Sequence, residues 1–219
     1  MYPLPATELA ERLAARGLAA ASAEAESLAA YLALLEQWNR VHNLTGPADR
    51  HELIDRHLIE SLALAPFIVG PSVADIGSGA GLPGLPLAIR CPQFHFTLIE
   101  SRRKRVSFLR HVAATLGLAN VSVAHGRAES LALPTFATVL ARAVAPPAEL
   151  LALVTPLLAA GGRLVLLAGA DKGGEIIALA SEADAELESG SAPAFRALPV
   201  APPVAGLKSR IVVLERLLS

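Results

Sequence analysis

Alternating glycines follow an aspartate in the run Asp75-Ile76-Gly77-Ser78-Gly79-Ala80-Gly81. Glycine takes positive φ without penalty and lets a ligand approach the main chain closely. A short apolar stretch precedes the run and a helical pattern from Leu85 follows it. A ligand at such a strand–loop–helix junction faces the free N–H groups of the helix start. The run therefore predicts a nucleotide-like cofactor site.

The loop leaves two cofactor classes to compare. Gly79, Gly81 and Gly84 fit the dinucleotide pattern G-x-G-x-x-G, which by itself is weak evidence. A carboxylate at Asp75 repels a pyrophosphate and attracts the ammonium and sulfonium groups of S-adenosylmethionine. Pro83 also complicates the tight helix start that a pyrophosphate needs. We therefore expect S-adenosylmethionine, with S-adenosylhomocysteine as product, and an NAD-dependent oxidoreductase is the disfavoured alternative.

Polar residues end the strands that follow the loop. Glu100 closes the second predicted strand about 20 residues after the glycines, where an acid bonds the ribose of either cofactor. Ala128 and Glu129 follow the third strand and either line the adenine pocket or form a surface turn. Arg142 leaves the fourth strand. Because strand ends place side chains over the cofactor, Arg142 is the candidate active-site residue.

Basic residues form a second signal. The run Arg102-Arg103-Lys104-Arg105 begins a predicted helix, where the helix dipole disfavours cations. It is either a solvated helix face or a surface that contacts RNA phosphates. Arg56 and His57 on an earlier helix are further candidates for RNA contact, although a lone histidine beside apolar residues is often only packed. His51, Glu52 and His57 lack metalloprotease spacing, and we expect no metal.

The elements that must position these residues change character near residue 72. Before it the pattern is helical: residues 6 to 16 stopped by Gly17, a helix capped by Ser22, and one begun by an Asp49–Glu52 capping box and ended by Pro66. After it strands alternate with helices, which predicts an α/β, doubly wound, mainly parallel sheet. The strands are Val73–Ile76, His95–Glu100, Val121–Ala124, Phe136–Ala143, Gly162–Ala168 and a hairpin of Phe195–Val200 with Ile211–Leu217. The helices lie from Leu85 to Ile89, from a cap at Ser101 to Gly117, over 147–159 with a bend at Pro156, and from Glu175 to Leu187.

The bulk composition excludes several classes. The 219 residues are 53% hydrophobic and 18% charged, so the chain should collapse rather than stay disordered. The most apolar window, Leu150 to Ala170, is broken by Pro156, Gly161, Gly162 and Arg163, so we expect no membrane span. Cys91 is the only cysteine, and the net charge is -1. We expect a cytoplasmic location and a monomer, and any nucleic-acid contact must come from a local basic patch.

Several of these residues together resemble one family. Trp38-Asn39 with Asn43-Leu44-Thr45, Arg56-His57 with Ser61, Asp75-x-Gly-x-Gly-x-Gly-Leu-Pro-Gly, Lys104-Arg105-x-x-Phe108-Leu109 and Arg142-Ala143 are similar to the RsmG (GidB) family. The resemblance covers about Leu28 to Gly169, and Gly81-Leu82-Pro83-Gly84 is its most specific part.

The resemblance implies a fold, an activity and a set of contacts. It implies a Rossmann-like class I methyltransferase fold with a seven-stranded sheet, residues 1–70 being a helical extension and 71–219 one compact domain that binds S-adenosylmethionine. It implies methyl transfer to guanine N7 in the decoding-region loop of 16S rRNA, so that the partner is that RNA or the 30S particle. Its cofactor contacts fall on Gly77, Leu82, Ala128, Glu129 and Arg142.

Three positions depart from the family pattern. The family usually has Asp at Glu60, often Ser at Ala141, and usually Lys at Ala168. The missing lysine bears on RNA binding or rate, and Lys172 is a possible substitute. Two alternatives therefore stay open: a methyltransferase with another acceptor, and a non-catalytic RNA-binding module.

Overall fold

The computed structural model describes residues 4–46, 49–142, 146–186 and 195–217, of which residues 170 and 181–186 are described by their backbone only. One sheet of seven strands has the order β3-β2-β1-β4-β5-β7-β6. The strands are β1 (Ser72–Ile76), β2 (His95–Glu100), β3 (Val121–His125), β4 (Phe136–Arg142), β5 (Leu158–Ala168), β6 (Phe195–Ala197) and β7 (Arg210–Arg216). The first five are parallel, and β7 pairs antiparallel with both β5 and β6. The predicted α/β sheet with a closing hairpin is confirmed.

Helices cover both faces of this sheet. Three stretches precede it: α1 (Ala6–Ala15), α2 (Ser22–His42), and a continuous helical run made of α3 (Arg50–Glu52), a π-helical segment (Leu53–Leu58) and α4 (Ile59–Leu62). The crossover helices are α5 (Gly84–Arg90), α6 (Arg103–Thr115), α7 (Pro147–Val154) and α8 (Ala170–Glu186). A parallel sheet must bury both faces, which accounts for the apolar strands β1 and β4.

The register brings three strand ends to one level. Ile76 of β1 lies opposite Ile99 of β2 and Ala141 of β4. Gly77, Glu100 and Arg142, each the next residue along, therefore share one edge of the sheet. After β1 the chain builds outward to β2 and β3, and it then returns to place β4 and β5 on the other side. Ligands of doubly wound sheets bind at this kind of switch point.

The hydrophobic core has two parts, one on each face. The first joins the opening helices to the sheet and includes Leu13 of α1, Leu28 of α2 and Phe96 of β2. The second joins α7 and α8 to the other face, where Val154 and Ile176 pack. Each fully buried Leu, Val, Ile or Phe contributes roughly 1.5–3 kcal/mol, so the opening helices are held as firmly as the crossover helices.

Two predicted caps were wrong and one was right. Ala21, not Ser22, is the N-cap of α2, and the Ser22 hydroxyl instead donates to Glu26 at 3.0 Å. Ser101 also does not cap α6, since the cap position falls one residue later and makes no side-chain hydrogen bond. Asp49 does cap α3: its carboxylate accepts from the Glu52 backbone N–H at 2.8 Å.

Three helix ends also differ from the prediction. Leu62 ends the helical run, and Pro66 lies in a separate 3-10 turn, Ala65–Phe67. Because proline carries no N–H, α7 stops at Val154, Pro156 lies in a 3-10 turn, and β5 already begins at Leu158. The last helix begins at Ala170, five residues early and through two glycines that each disfavour a helix by about 1 kcal/mol. Packing of Ile176 and Ala180 against the sheet offsets that cost.

Candidate cofactor and active site

The glycine loop needs its glycines for backbone reasons. Gly77, Gly79 and Gly81 have φ values of 68°, 57° and 83°, a region that residues with a Cβ rarely adopt. The N–H groups of Gly77 and Ser78 both donate to the carbonyl of Ile99, at 2.9 and 3.1 Å. The loop is therefore fastened to the end of β2 by its own backbone.

Asp75 lies behind the loop rather than at its mouth. Asp75 is only 1% exposed, and its Oδ2 accepts a hydrogen bond from the Gly84 N–H at 3.1 Å. Burial raises the pKa of this carboxyl to about 7, against the lowering effect of hydrogen bonds from Ser78 and Gly84. A Cβ on Gly84 would lie 2.6 Å from Oδ2. Asp75 therefore holds the start of α5, and any attraction it exerts on a cation acts through the loop.

Glu100 closes the same loop from the other side. One carboxylate oxygen accepts from the Gly79 N–H at 3.0 Å, and the other accepts from the Arg102 N–H at 2.7 Å. The Arg105 guanidinium lies 3.8 Å from Glu100 Oε2. An ionised carboxylate offers about four acceptor sites, so a ribose hydroxyl can join without displacing these donors.

A cleft of about 460 Å³ opens beside the loop. Its volume falls in the range of small-molecule sites, roughly 300–1,000 Å³. Its walls come from the ends of β1 and β2, the turn after β3 and helix α7: Ile76, Gly77, Ile99, Ser101, Gly126, Arg127, Ala128, Glu129, Glu149 and Leu153. Three predicted cofactor residues, Gly77, Ala128 and Glu129, thus meet in one cleft.

Other predicted cofactor residues do not line that cleft. Leu82 is 8% exposed and packs in the first core part, Asp75 lies behind the glycine loop, and Glu100 accepts from the loop on its other side. Conversely, Glu149 and Leu153 line the cleft but were not predicted. The available signal was that α7 follows β4, whose end lies at the same edge, so that the first turns of α7 pass close to it.

Arg142 centres a second group of residues at the end of β4. Its side chain is 19% exposed, and its guanidinium lies 3.4 Å from the carboxylate of Glu60, which is 1% exposed. Burial lowers the pKa of Arg142, and the Glu60 charge opposes that shift. The Glu60 carboxylate also accepts from the backbone N–H and the hydroxyl of Ser209, both at 3.0 Å. Glu60 therefore connects Arg142 to the segment that enters β7.

Sequence reasoning treated Glu60 only as a departure from a family pattern. A usable signal was present: an acid between Leu58, Ile59 and Leu62 faces an apolar core. A buried carboxylate is stable only when it is paired or hydrogen-bonded, so this position called for a partner.

Arg56 and His57 both lie in the π-helical segment. Such segments are rare and occur often at functional sites. Burial first, and then the nearby charges of Arg142 and Arg56, lower the pKa of His57 to about 4, so the ring is neutral near pH 7. Within the described residues its buried Nδ1 has no hydrogen-bond partner. Arg56 instead forms an exposed ion pair with Glu52 at 2.8 Å.

The predicted basic run divides into two groups. Arg105 is partly buried and turns towards the glycine loop, as its 3.8 Å approach to Glu100 shows. Arg103 and Lys104 are exposed on α6. Over the parts of the chain that the structure describes, neither lies within ion-pairing distance of a carboxylate.

The described ranges of the chain contain no cluster of three or more His, Cys, Asp or Glu side chains suited to a metal ion. None of the described helices combines the length and the apolar character that crossing a membrane requires.

Sequence comparison identifies the family. A profile described as rRNA small subunit methyltransferase G matches residues 24–197. The chain belongs to this family. A ribosomal RNA small subunit methyltransferase G from Stenotrophomonas maltophilia is 49% identical over 133 residues, which is 59% of this chain and 62% of that protein. The protein of the same name from Xanthomonas axonopodis pv. citri is 44% identical over 168 residues, 75% of this chain and 79% of that protein.

Structural comparison shows the fold that the family shares with other methyltransferases. Mitomycin 7-O-methyltransferase superposes with a TM-score of 0.59 at 18% identity, over 96% of this chain and 67% of that one. A methyltransferase from Geobacter sulfurreducens superposes with a TM-score of 0.52 at 19% identity, over 86% and 88%. The expected Rossmann-like methyltransferase fold is confirmed.

Proposed function

We propose that the chain transfers a methyl group from S-adenosylmethionine to N7 of a guanine in the decoding-region loop of 16S rRNA. The observation that carries the proposal is the shared sheet edge: the glycine loop and Arg142 end neighbouring strands in a member of the rRNA small subunit methyltransferase G family. The curated relatives named above bear the name of that activity.

The cleft fits this cofactor better than a dinucleotide. Ile76, Ile99 and Leu153 give it apolar walls that suit a purine ring. Glu129 and Glu149 add two carboxylates against one cation, Arg127, which lies 3.6 Å from Glu129. The net negative lining favours a cationic nucleoside over a pyrophosphate. The predicted contacts Gly77, Ala128 and Glu129 line the cleft, while Gly79 and Glu100 set the loop beside it. We propose these residues, with Asp75 and Leu82 behind the loop, as the cofactor site.

Methyl transfer to guanine N7 mainly requires that the protein position the two reactants. S-adenosylmethionine supplies a methyl group bound to a sulfonium. Guanine N7 has an in-plane lone pair and no proton, so a new N–C bond can form, and the C–S pair return to sulfur, without a general base. The absence of a need for a general base agrees with the surroundings of Arg142. The nearby imidazole of His57 is neutral, but its Nδ1 is buried. Rate then comes from holding the two reactants in line.

Arg142 has the chemistry to orient the acceptor base. Its guanidinium carries several N–H donors in a rigid plane, and guanine presents O6 beside N7 as an acceptor. Held by Glu60 at the end of β4, those donors lie at the sheet edge that the glycine loop also reaches. We therefore propose Arg142 as the catalytic residue, acting by orientation and charge rather than by proton transfer.

The acceptor guanine must be accessible. In an RNA duplex N7 faces the deep, narrow major groove, which side chains read poorly. A guanine in a loop can be presented with its N7 free. The exposed Arg103 and Lys104, together with Arg56, are the proposed contacts to the surrounding backbone.

We also propose that the chain works as a cytoplasmic monomer, because its substrate is a ribosomal particle or its RNA. Residues 1–70 are then a helical extension of a methyltransferase domain, 71–219, with which α1 and α2 share one core. Size-exclusion chromatography with light scattering tests the monomer.

Mass mapping of 16S rRNA tests the function directly. RNA from cells with and without the protein should differ by one methyl group on one decoding-region guanine, and purified protein should restore it on 30S particles or free 16S RNA. Identical maps, with methyl transfer to another acceptor, would favour the alternative of a different substrate. Cofactor binding without any transfer would favour the RNA-binding module.

A further inference from the structure

Four rings gather where the end of α2 meets α6. The Trp38 ring centroid lies 5.3 Å from that of His42, 5.5 Å from Phe108 and 5.7 Å from His111. Phe108 is fully buried, Trp38 is partly buried, and both histidines are exposed. The group is thus anchored in the core by Phe108 and exposes its two imidazole rings to solvent.

An exposed valine extends this surface. Val41 is 75% exposed, which makes it the large hydrophobic side chain that the described residues leave most open to solvent. Trp38, Val41 and His42 have i, i+3, i+4 spacing and therefore share one side of α2. A single exposed apolar side chain is ordinary, but this one lies beside a tryptophan and two imidazoles whose rings are tilted by 50° and 35° from the Trp38 plane. We call Trp38, Val41, His42, Phe108 and His111 the ring cluster.

Exposed cations lie on the same two helices as the ring cluster. Arg40, Arg103, Lys104 and Arg110 are all exposed, and within the described ranges none lies at ion-pairing distance from a carboxylate. Lys104 shares one face of α6 with Phe108 and His111, at i, i+4 and i+7. The chain as a whole has a net charge of -1, so this basic surface is local. Aromatic rings set among unpaired cations are the combination that binds single-stranded nucleic acid.

The ring cluster is continuous with the cofactor loop. Tyr31, seven residues before Trp38 on α2, donates its hydroxyl to the Ala80 carbonyl at 2.9 Å. Seven helical residues span roughly 10 Å. On α6, Arg105 lies one turn before Phe108 and approaches Glu100 at the loop. One RNA strand can therefore contact both places.

We propose that the ring cluster binds an unpaired nucleobase of the RNA substrate by stacking, while Lys104, Arg103 and Arg110 contact the neighbouring phosphates. The inference rests on the proposed function, because that function makes RNA the polyanion at this surface. Unpaired bases of structured RNA commonly stack on aromatic and imidazole side chains. The cluster would fix the strand beside the target guanine without reading its sequence.

Trp38 makes the test direct, because it is the only tryptophan of the chain. The whole protein is titrated with a single-stranded RNA oligonucleotide of the decoding-region loop, and tryptophan emission is corrected for RNA absorption with free tryptophan. We expect saturable quenching that tracks binding measured by anisotropy of labelled RNA. An abasic oligonucleotide of the same length should bind more weakly and leave the emission unchanged.

Two variants and a matched control separate stacking from charge. His111→Ala should weaken binding about tenfold and reduce quenching, since one base stack is worth roughly that much. Lys104→Ala should weaken binding of all sequences and lower the salt slope by about one. His95→Ala makes the same change at an exposed histidine near the amino end of β2 and should match the wild type.

The outcomes distinguish this inference from the function on which it rests. RNA binding with constant Trp38 emission and wild-type affinity in His111→Ala would overturn the ring cluster, even if 30S particles are methylated normally. No methylation of 30S particles or 16S RNA would remove the proposed function. Quenching by the abasic oligonucleotide equal to that by RNA would show that phosphates alone cause the change, and would also overturn stacking.

Discussion

The two halves of the site differ in how completely their polar groups are used. On the cofactor side, both Asp75 and Glu100 accept hydrogen bonds from backbone N–H groups of the loop or its flanks. On the acceptor side, Arg142 makes one 3.4 Å contact with Glu60, and His57 Nδ1 has no partner among the described residues. In the first half the carboxylates are hydrogen-bonded to the loop backbone, whereas in the second, among the described residues, Arg142 and His57 keep unused hydrogen-bonding capacity.

This difference indicates that the cofactor half is the more preorganised of the two. A cofactor of fixed shape is bound well by a rigid backbone loop, since little ordering remains to oppose binding. A base delivered by a large RNA needs donors that are free when it arrives, and unpaired buried groups cost stability until then. We therefore expect substitutions in the acceptor half to lower the rate of methyl transfer. Substitutions in the cofactor half should lower the affinity for the cofactor and the stability of the fold.

The largest expected effect is a rate loss confined to the acceptor half. Arg142→Ala should lower single-turnover methylation of 30S particles about 100-fold, because a misplaced base loses the in-line geometry. Calorimetric affinity for S-adenosylmethionine should stay close to the wild-type value. Arg196→Ala, which removes an exposed arginine paired with Glu215 at the far sheet edge, is the matched control and should leave the rate unchanged. Equal losses of rate and cofactor affinity in Arg142→Ala would contradict the division of the site into two separate halves.

The next effect belongs to the cofactor half. In Gly84→Ala the new Cβ would meet Leu98 Cδ2 at 2.4 Å and Asp75 Oδ2 at 2.6 Å. Overpacking of this kind costs about 1–3 kcal/mol, so we expect a lower unfolding midpoint and weaker cofactor binding. Gly174→Ala in α8, where a Cβ meets nothing within 4 Å, should be neutral or stabilising. If both variants melt alike, the close contact behind the loop is relieved more easily than its geometry indicates.

The conformation of the glycine loop could be predicted from the sequence because its determinants are local. Gly77, Gly79 and Gly81 are needed by a turn only a few residues long, and the strand before it and the acid after it follow from pattern. Five parallel strands and the closing hairpin were predicted on the same grounds, with strand starts and helix ends in error where proline and glycine compete with packing.

The acceptor half depends on contacts between distant residues. Glu60 and Ser209 are 149 positions apart. No pattern in the sequence predicts that the Glu60 carboxylate accepts a hydrogen bond from the segment before β7. The direction of the Asp75 side chain was equally hidden, because residue type fixes the charge but not the side of the loop on which it lies. The sequence supplied the residues of this half, but only the fold could assemble them.

A smaller effect tests whether Glu60 positions Arg142. Glu60→Gln keeps the size and one oxygen that can accept from the Ser209 N–H, but it removes the charge and replaces the oxygen that faces Arg142 and the Ser209 hydroxyl with an N–H donor. We therefore expect about a tenfold fall in kcat with less change in KM, on the scale of a geometric misplacement. Ser209→Ala, which leaves the Ser209 N–H bond in place, should lose less. A purely structural Glu60 would lower the melting temperature of Glu60→Gln while its folded fraction kept wild-type kcat.

The smallest effect is a pH dependence that reports on Asp75. Its pKa is raised in the fold from 3.8 to about 7, so the folded state holds the proton more tightly than the unfolded chain. Its contribution to stability is therefore fully present below about pH 4 and is lost as the pH rises through 7. Cofactor affinity should change in the opposite direction and rise through pH 7, by at most about tenfold per unit, because the ionised form attracts the sulfonium.

Asp75→Asn separates the charge from the hydrogen bond. The amide oxygen can still accept from Gly84, so the loop should keep its shape, while both pH slopes should flatten relative to the wild type. Calorimetric titrations and thermal melts of the two proteins between pH 5 and 8 measure the slopes. Parallel affinity curves would show that Asp75 only holds the start of α5, and selection of the cationic cofactor would then rest on Glu129 and Glu149 in the cleft.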